Sequence, residues 1–187
     1  PDVSKVSFTG SVETGRIVYR AAAEKLVPVT LELGGKSPMV IMGDADLDKA
    51  LDGAVGGMRF TRQGQSCTAA SRMLVHRSIH DEFVSRLVSR VNAMKIGDPL
   101  DESTDIGTIV SPGQFERVNY YLDLARSTPE ATLHECSELP TDAALAKGLF
   151  VRPVIISGLD NEHRACREEI FGPVTCVIPF DTYEEAI

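Results

Sequence analysis

The stretch VTLELGGKSPMVIM, residues 29–42, sets the fold class. Val29, Leu31 and Leu33 alternate with Thr30 and Glu32, the period of a strand with one apolar face. Gly34 and Gly35 end that strand, and PMVIM (38–42) reads as the next. On either side the pattern turns helical. Upstream, VSF (6–8) is a short strand, and Ser11, after Gly10, is a good N-cap for a helix running to about Lys25. Downstream, Leu47, Ala50, Leu51, Ala54, Val55 and Met58 form one apolar stripe capped by Asp46. Strands alternating with helices in this way predict an α/β chain.

The alternation continues. SRMLVHR (71–77) reads as a strand, and a capping box from Ser78 to Asp81 starts a helix that buries Ile79, Phe83, Leu87 and Val91. Ser111, Pro112 and Gln114 open another helix, with Pro at the first helical position and Gln three residues past the cap. FVRPVII (150–156) and PVTCVIPF (173–180) read as later strands. Residues 127–148 are the least regular and are expected on the surface. There is no internal repeat.

Bulk composition narrows the function classes. Of 187 residues, 43% are apolar and 25% charged, as in ordinary globular proteins. The net charge of −8 argues against a nucleic-acid partner. No apolar run approaches the ~20 residues that a membrane span needs, so no membrane partner is expected. The cysteines (Cys67, Cys136, Cys166, Cys176) have no C-x-x-C spacing and form no metal cluster with His76, His80, His134 and His163. They read as free thiols in a reducing compartment, and a cytoplasmic location is expected.

Two residues stand out chemically. Glu32 lies on the polar side of its strand, just before a Gly pair that lets a ligand or backbone approach. In a partly desolvated cleft it would suit a general base; the plain alternative is a surface glutamate. Cys67, in RQGQSCTAAS (62–71), has polar and small neighbours in place of apolar ones. Such surroundings leave room for a substrate carbonyl and for backbone N–H donors beside a nucleophilic thiol. Its plain alternative is an inert structural thiol.

LELGGKSP (31–38) and FTRQGQSCTA (60–69) resemble the glutamate and cysteine signatures of the NAD(P)-dependent aldehyde dehydrogenase superfamily. VSFTGSVETG (6–15) and EEIFGPV (168–174) resemble that family's cofactor-contacting motifs. The order and spacing of all four match, and the resemblance runs over essentially the whole chain. It implies an aldehyde-dehydrogenase-like, three-layer α/β catalytic domain at 35–187. Residues 1–34 are implied to be the C-terminal remnant of a Rossmann-like cofactor domain.

By the same resemblance, Cys67 is the nucleophile that forms a thiohemiacetal and then a thioester, and its N–H is half of the oxyanion hole. Glu32 is the base that activates water. Gly10 and Ser11 face the pyrophosphate of NAD or NADP at a helix start, Leu33 lies by the nicotinamide, Glu169 binds its ribose, and Phe171 packs near the ring. Lys36, Cys136, Cys166 and Cys176 are taken as structural. The implied substrate is a small-molecule aldehyde, and the parent enzyme is implied to be a homodimer or homotetramer. Rivals are a coenzyme A-acylating relative, a cysteine hydrolase and a non-catalytic truncated product. Glu32 opposes the first, because acylating relatives lack the deacylating glutamate; the second lacks a histidine placed to activate Cys67. Both chain ends look cut from a longer protein, so the isolated fragment is expected to be inactive.

Overall fold

The computed structural model describes residues 2–187. They divide into two compact units, one ending at Gly35 and the other running from Lys36 to Ile187.

In the first unit, β1 (Val6–Gly10) and β2 (Val29–Leu33) pair in parallel, from Val6 opposite Val29 to Gly10 opposite Leu33. Parallel neighbours need a crossover, and α1 (Val12–Ala23) supplies it. Ser11 caps α1 as expected, its Oγ accepting from the Thr14 N–H at 3.2 Å. Gly15 lets α1 approach β2 closely: a Cβ there would lie 2.7 Å from Leu33 Cδ2. Ile17 and Tyr19 remain exposed on the same helix. One helix on two strands cannot enclose a core.

The second unit is a five-stranded sheet of order β3-β4-β7-β6-β5. Its strands are β3 (Pro38–Ile41), β4 (Arg72–His76), β5 (Thr132–Glu135), β6 (Val154–Ser157) and β7 (Val174–Phe180). All pairs are parallel except β5 with β6. The helices are α2 (Leu47–Met58), α3 (Arg77–Asn92), α4 (Pro112–Arg126), and the short α5 (Arg164–Arg167) and α6 (Tyr183–Ala186).

Alternation along the strands divides the core in two. Met73, Val75, Ile155 and Val177 pack with Leu51, Met58, Phe83 and Leu87 of α2 and α3. Leu74, Ile156, Cys176 and Ile178 pack with Val118, Leu122, Ala165 and Cys166 of α4 and α5. Both faces of the sheet are therefore covered, giving the three layers expected. Asp46 caps α2 and Ser111 caps α4, as their positions predicted.

The structure departs from expectation in three places. The α3 cap is His76, not Ser78: the imidazole Nδ1 accepts from the Ser78 N–H at 3.3 Å, and Asp81 pairs with His80 instead. His76 also packs edge-on against Phe180, and the His80 side chain is 13% exposed. The strand expected over 150–156 begins only at Val154. Pro153 precedes it, has no N–H to give a ladder, and uses its carbonyl to accept from Cys136. Residues 127–148, expected to be irregular surface, contain β5 and the buried Cys136 and Ser137.

Candidate active site

The expected site residues fall into two groups, one in each unit. In the first unit, Thr9 pairs with Glu32 and Gly10 with Leu33, so Glu32 and Leu33 end β2 level with the end of β1. Ser11 then opens α1, whose first N–H groups point out of the helix. The carboxyl end of parallel strands beside a helix N-terminus is where an anionic ligand group is favoured. Glu32 is exposed on the polar side of β2.

In the second unit, Cys67 lies in the loop between a short 3-10 helix (Phe60–Arg62) and β4. It is exposed, unlike Cys136, Cys166 and Cys176, which are fully buried. Its main-chain N–H donates to no other group among the described residues, which leaves it available to an oxyanion. The loop itself is firmly held. Ala70 N–H donates to the Gly57 carbonyl at 3.0 Å, and the Ala70 carbonyl accepts from the buried Thr175 hydroxyl at 3.1 Å. Gln65 Oε1 accepts from the Val110 N–H at 3.0 Å.

Glu169 and Phe171 lie in the segment that leads into β7. Because β4 and β7 are parallel neighbours, this segment and the Cys67 loop enter the sheet from the same side. They touch: a Cβ on Gly64, whose φ is +63°, would lie 2.1 Å from the Gly172 carbonyl oxygen. The two motifs of this unit are therefore brought together.

Helix α4 fixes the same segment, and this is where reading the sequence fell short. Gln114 fits half of the expected capping box, since its N–H donates to Ser111 Oγ at 3.3 Å. Its side chain does not reach back to the cap. Nε2 instead donates to the carbonyls of Ile170 and Phe171, each at 2.8 Å. Arg117 donates to the Glu169 carbonyl at 2.6 and 3.2 Å, and Tyr121 donates to Glu168 at 2.6 Å. The only sequence signal was the spacing of 114, 117 and 121 on one helix face.

Arg164 and the Tyr121 hydroxyl hold the Glu168 carboxyl well below its usual range, at about 2. Burial, and then the Glu168 hydrogen bond, pushes the Tyr121 phenol up to about 12. Lys36 Nζ is buried without a hydrogen-bond partner among the described residues, and burial shifts that ammonium toward its neutral form. No group of three or more His, Cys, Asp or Glu side chains able to hold a metal occurs among the described residues. No helix there is long and apolar enough to cross a membrane.

A model of the aldehyde dehydrogenase family matches residues 1–187. The chain belongs to the aldehyde dehydrogenase family. A betaine aldehyde dehydrogenase of Rhizobium johnstonii is 46% identical over 187 residues, all of this chain and 38% of that protein. The peroxisomal aminoaldehyde dehydrogenase 2 of Pisum sativum is also 46% identical, over all of this chain and 36% of its own length. A Staphylococcus aureus betaine aldehyde dehydrogenase, solved in complex with NAD+, superposes with a TM-score of 0.91 at 39% identity; the match covers 98% of this chain and 36% of that one. An aldehyde dehydrogenase from Bacillus cereus gives 0.90 at 42% identity, over 100% of this chain and 37% of that one. The chain thus spans well under half the length of these relatives, and its α/β fold is the aldehyde dehydrogenase fold.

Proposed function

We propose that the enzyme containing this chain oxidises an aldehyde to the carboxylic acid, with NAD+ or NADP+ as acceptor and Cys67 as nucleophile. The observation that carries this reading is the seating of the Cys67 loop on the segment holding Glu169 and Phe171, Gly64 against Gly172, in a chain of this family. Residues 1–34 are read as the end of the cofactor domain and 35–187 as most of the catalytic domain.

The residues present fit part of a dinucleotide. Gly10 and Ser11 open a 12-residue helix whose free N–H groups suit a pyrophosphate. Leu33, Glu169 and Phe171 are read as the nicotinamide-side contacts. When bound, the nicotinamide accepts hydride from the substrate carbon.

The chain's own residues perform the remaining steps. The Cys67 thiolate adds to the aldehyde carbon, forming a C–S bond, and the Cys67 N–H donates to the oxygen that becomes negative. Loss of hydride from that carbon leaves a thioester on Sγ. Glu32 takes a proton from water, the resulting hydroxide attacks the thioester, and the C–S bond breaks to release acid and thiolate.

The relatives' names make amine-bearing and betaine aldehydes the first substrates to assay. In structures of the Staphylococcus aureus enzyme one cysteine is described as BME-modified in some and BME-free in others, which supports a reactive thiol in this family. A reducing compartment such as the cytoplasm and a homodimeric or homotetrameric assembly are part of the proposal.

An aldehyde panel on the full-length protein, read at the NADH wavelength with each cofactor, tests the reading. Reduction of either cofactor and loss of acyl-enzyme in Cys67→Ala are expected. Product at the parental rate from Cys67→Ala would overturn the nucleophile assignment, and a coenzyme A thioester as sole product would overturn the role of Glu32. The isolated 187-residue chain is expected to form no NADH.

A further inference from the structure

We infer that Gln114 is a positioning residue of this active site: by holding the carbonyls of Ile170 and Phe171 it fixes the conformation in which Phe171 faces the cofactor. The inference rests on the proposed dehydrogenase reading.

Phe171 has φ +60°, in the left-handed region. Glycine and asparagine visit that region readily, but a bulky aromatic does so at a cost, so something must hold it there. The Gln114 amide does so directly. Both of its hydrogens are used, one on the carbonyl before Phe171 and one on the carbonyl of Phe171 itself, at 2.8 Å each. Those two carbonyls bracket the φ and ψ of Phe171. Any return to an extended conformation swings one of them off Nε2.

Gln114 is itself well placed to act as a fixed point. It stands in the first turn of the 15-residue α4, its N–H bonded to the Ser111 cap. Arg117 and Tyr121, one and two turns further along the same face, hold Glu169 and Glu168. Helix α4 therefore grips residues 168–171 in order, and Gln114 grips the member with the strained backbone.

Gly172 carries the consequence onward. A Cβ there would lie 2.4 Å from Val118 Cγ2 of α4, and its carbonyl faces Gly64 of the Cys67 loop. The cofactor-side segment is gripped by Gln114, whereas the Cys67 loop has its own anchors at Gly57, Thr175 and Val110. Losing the Gln114 amide should thus disturb the cofactor step more than the reactivity of Cys67.

The test uses Gln114→Leu and Gln114→Glu in the full-length protein. Glu is nearly isosteric but presents a carboxylate to two carbonyl oxygens. Three quantities are measured: KM for NAD+ or NADP+, the p-nitrophenolate burst from p-nitrophenyl acetate, which needs Cys67 but no hydride acceptor, and amide exchange at Val174, whose N–H donates to the Gly172 carbonyl at 2.8 Å. Both variants should raise the cofactor KM roughly tenfold or more, keep the burst within about twofold, and speed Val174 exchange roughly tenfold relative to the α4 interior. An unchanged KM, or KM and burst failing in proportion, would reduce Gln114 to a structural role and overturn the inference. If the parental protein reduces neither cofactor, the dehydrogenase reading fails; unchanged exchange at Val174 would then overturn the Gln114 inference separately, and faster exchange would sustain its grip on the segment.

Discussion

Thr175 donates its hydroxyl to the carbonyl of Ala70 at 3.1 Å, and the Thr175 side chain is fully buried. This bond joins the first residues of β7 to the residues that follow Cys67. It is a polar contact in an apolar core, so breaking it leaves a carbonyl without its partner. Thr175→Val keeps the shape and removes the donor, and should cost about 1–3 kcal/mol in urea unfolding. Thr175→Ser, which keeps the hydroxyl, should lose less.

Two glycine replacements should act in opposite directions. Gly64→Ala places a methyl against the Gly172 carbonyl in a left-handed conformation. It should destabilise the chain and slow alkylation of Cys67 by iodoacetamide. Gly53 sits inside α2, exposed, with nothing within 4 Å of an added Cβ. Gly53→Ala should stabilise by about 0.5–1 kcal/mol, because alanine restricts the unfolded chain and favours helix. Thermal unfolding of the two variants tests the contrast.

The pH dependence has two distinct limbs. Burial pushes the Cys136 thiol up to about 11 from an ordinary 9.0. A raised folded pKa means that this stability is fully present below pH 9 and is lost as pH rises toward 11. Glu168 is held down at about 2 against an ordinary 4.5. Its contribution is present above pH 4.5 and is lost as pH falls toward 2. Urea midpoints across pH should show Cys136→Ala flattening the alkaline limb and Glu168→Gln the acid limb. If each variant leaves its limb unchanged, these groups are not the cause.

Helix caps give a calibrated local prediction. Asp46 accepts from the Lys49 N–H and Ser111 from the Gln114 N–H. Asp46→Ala and Ser111→Ala should each cost about 1 kcal/mol in equilibrium unfolding. In Ser111→Ala the effect should extend to Val174 exchange, because Gln114 loses its own anchor.

Legibility in the sequence followed the range of the interactions. Ser11, Asp46 and Ser111 were readable as caps because a cap acts on an N–H three residues away. The alternation in VTLEL was readable because one face of the strand is apolar. Strand β5, only four residues long and antiparallel at the sheet edge, left no such trace in a polar stretch. His76 displaced Ser78 as a cap through its ring nitrogen, which no simple pattern encodes. Glu32 and Cys67 were visible through motifs, while the second role of Gln114 depends on residues 56 and 57 positions away. The left-handed backbone of Phe171 had no sequence signal, since bulky side chains ordinarily avoid it.

The pairing of Arg72 with Cys176 makes β7 a ruler for the position of Cys67. Residues 68–71 form a tether of fixed length between Cys67 and a strand that cannot slide. One residue more or fewer would carry the thiol along by about 3.3 Å, or flip every β4 side chain to the opposite layer. Single-residue insertions and deletions scanned through this chain should therefore find a sharp gap in tolerance at 68–71. The exposed loop near Leu100, by contrast, should accept changes in length.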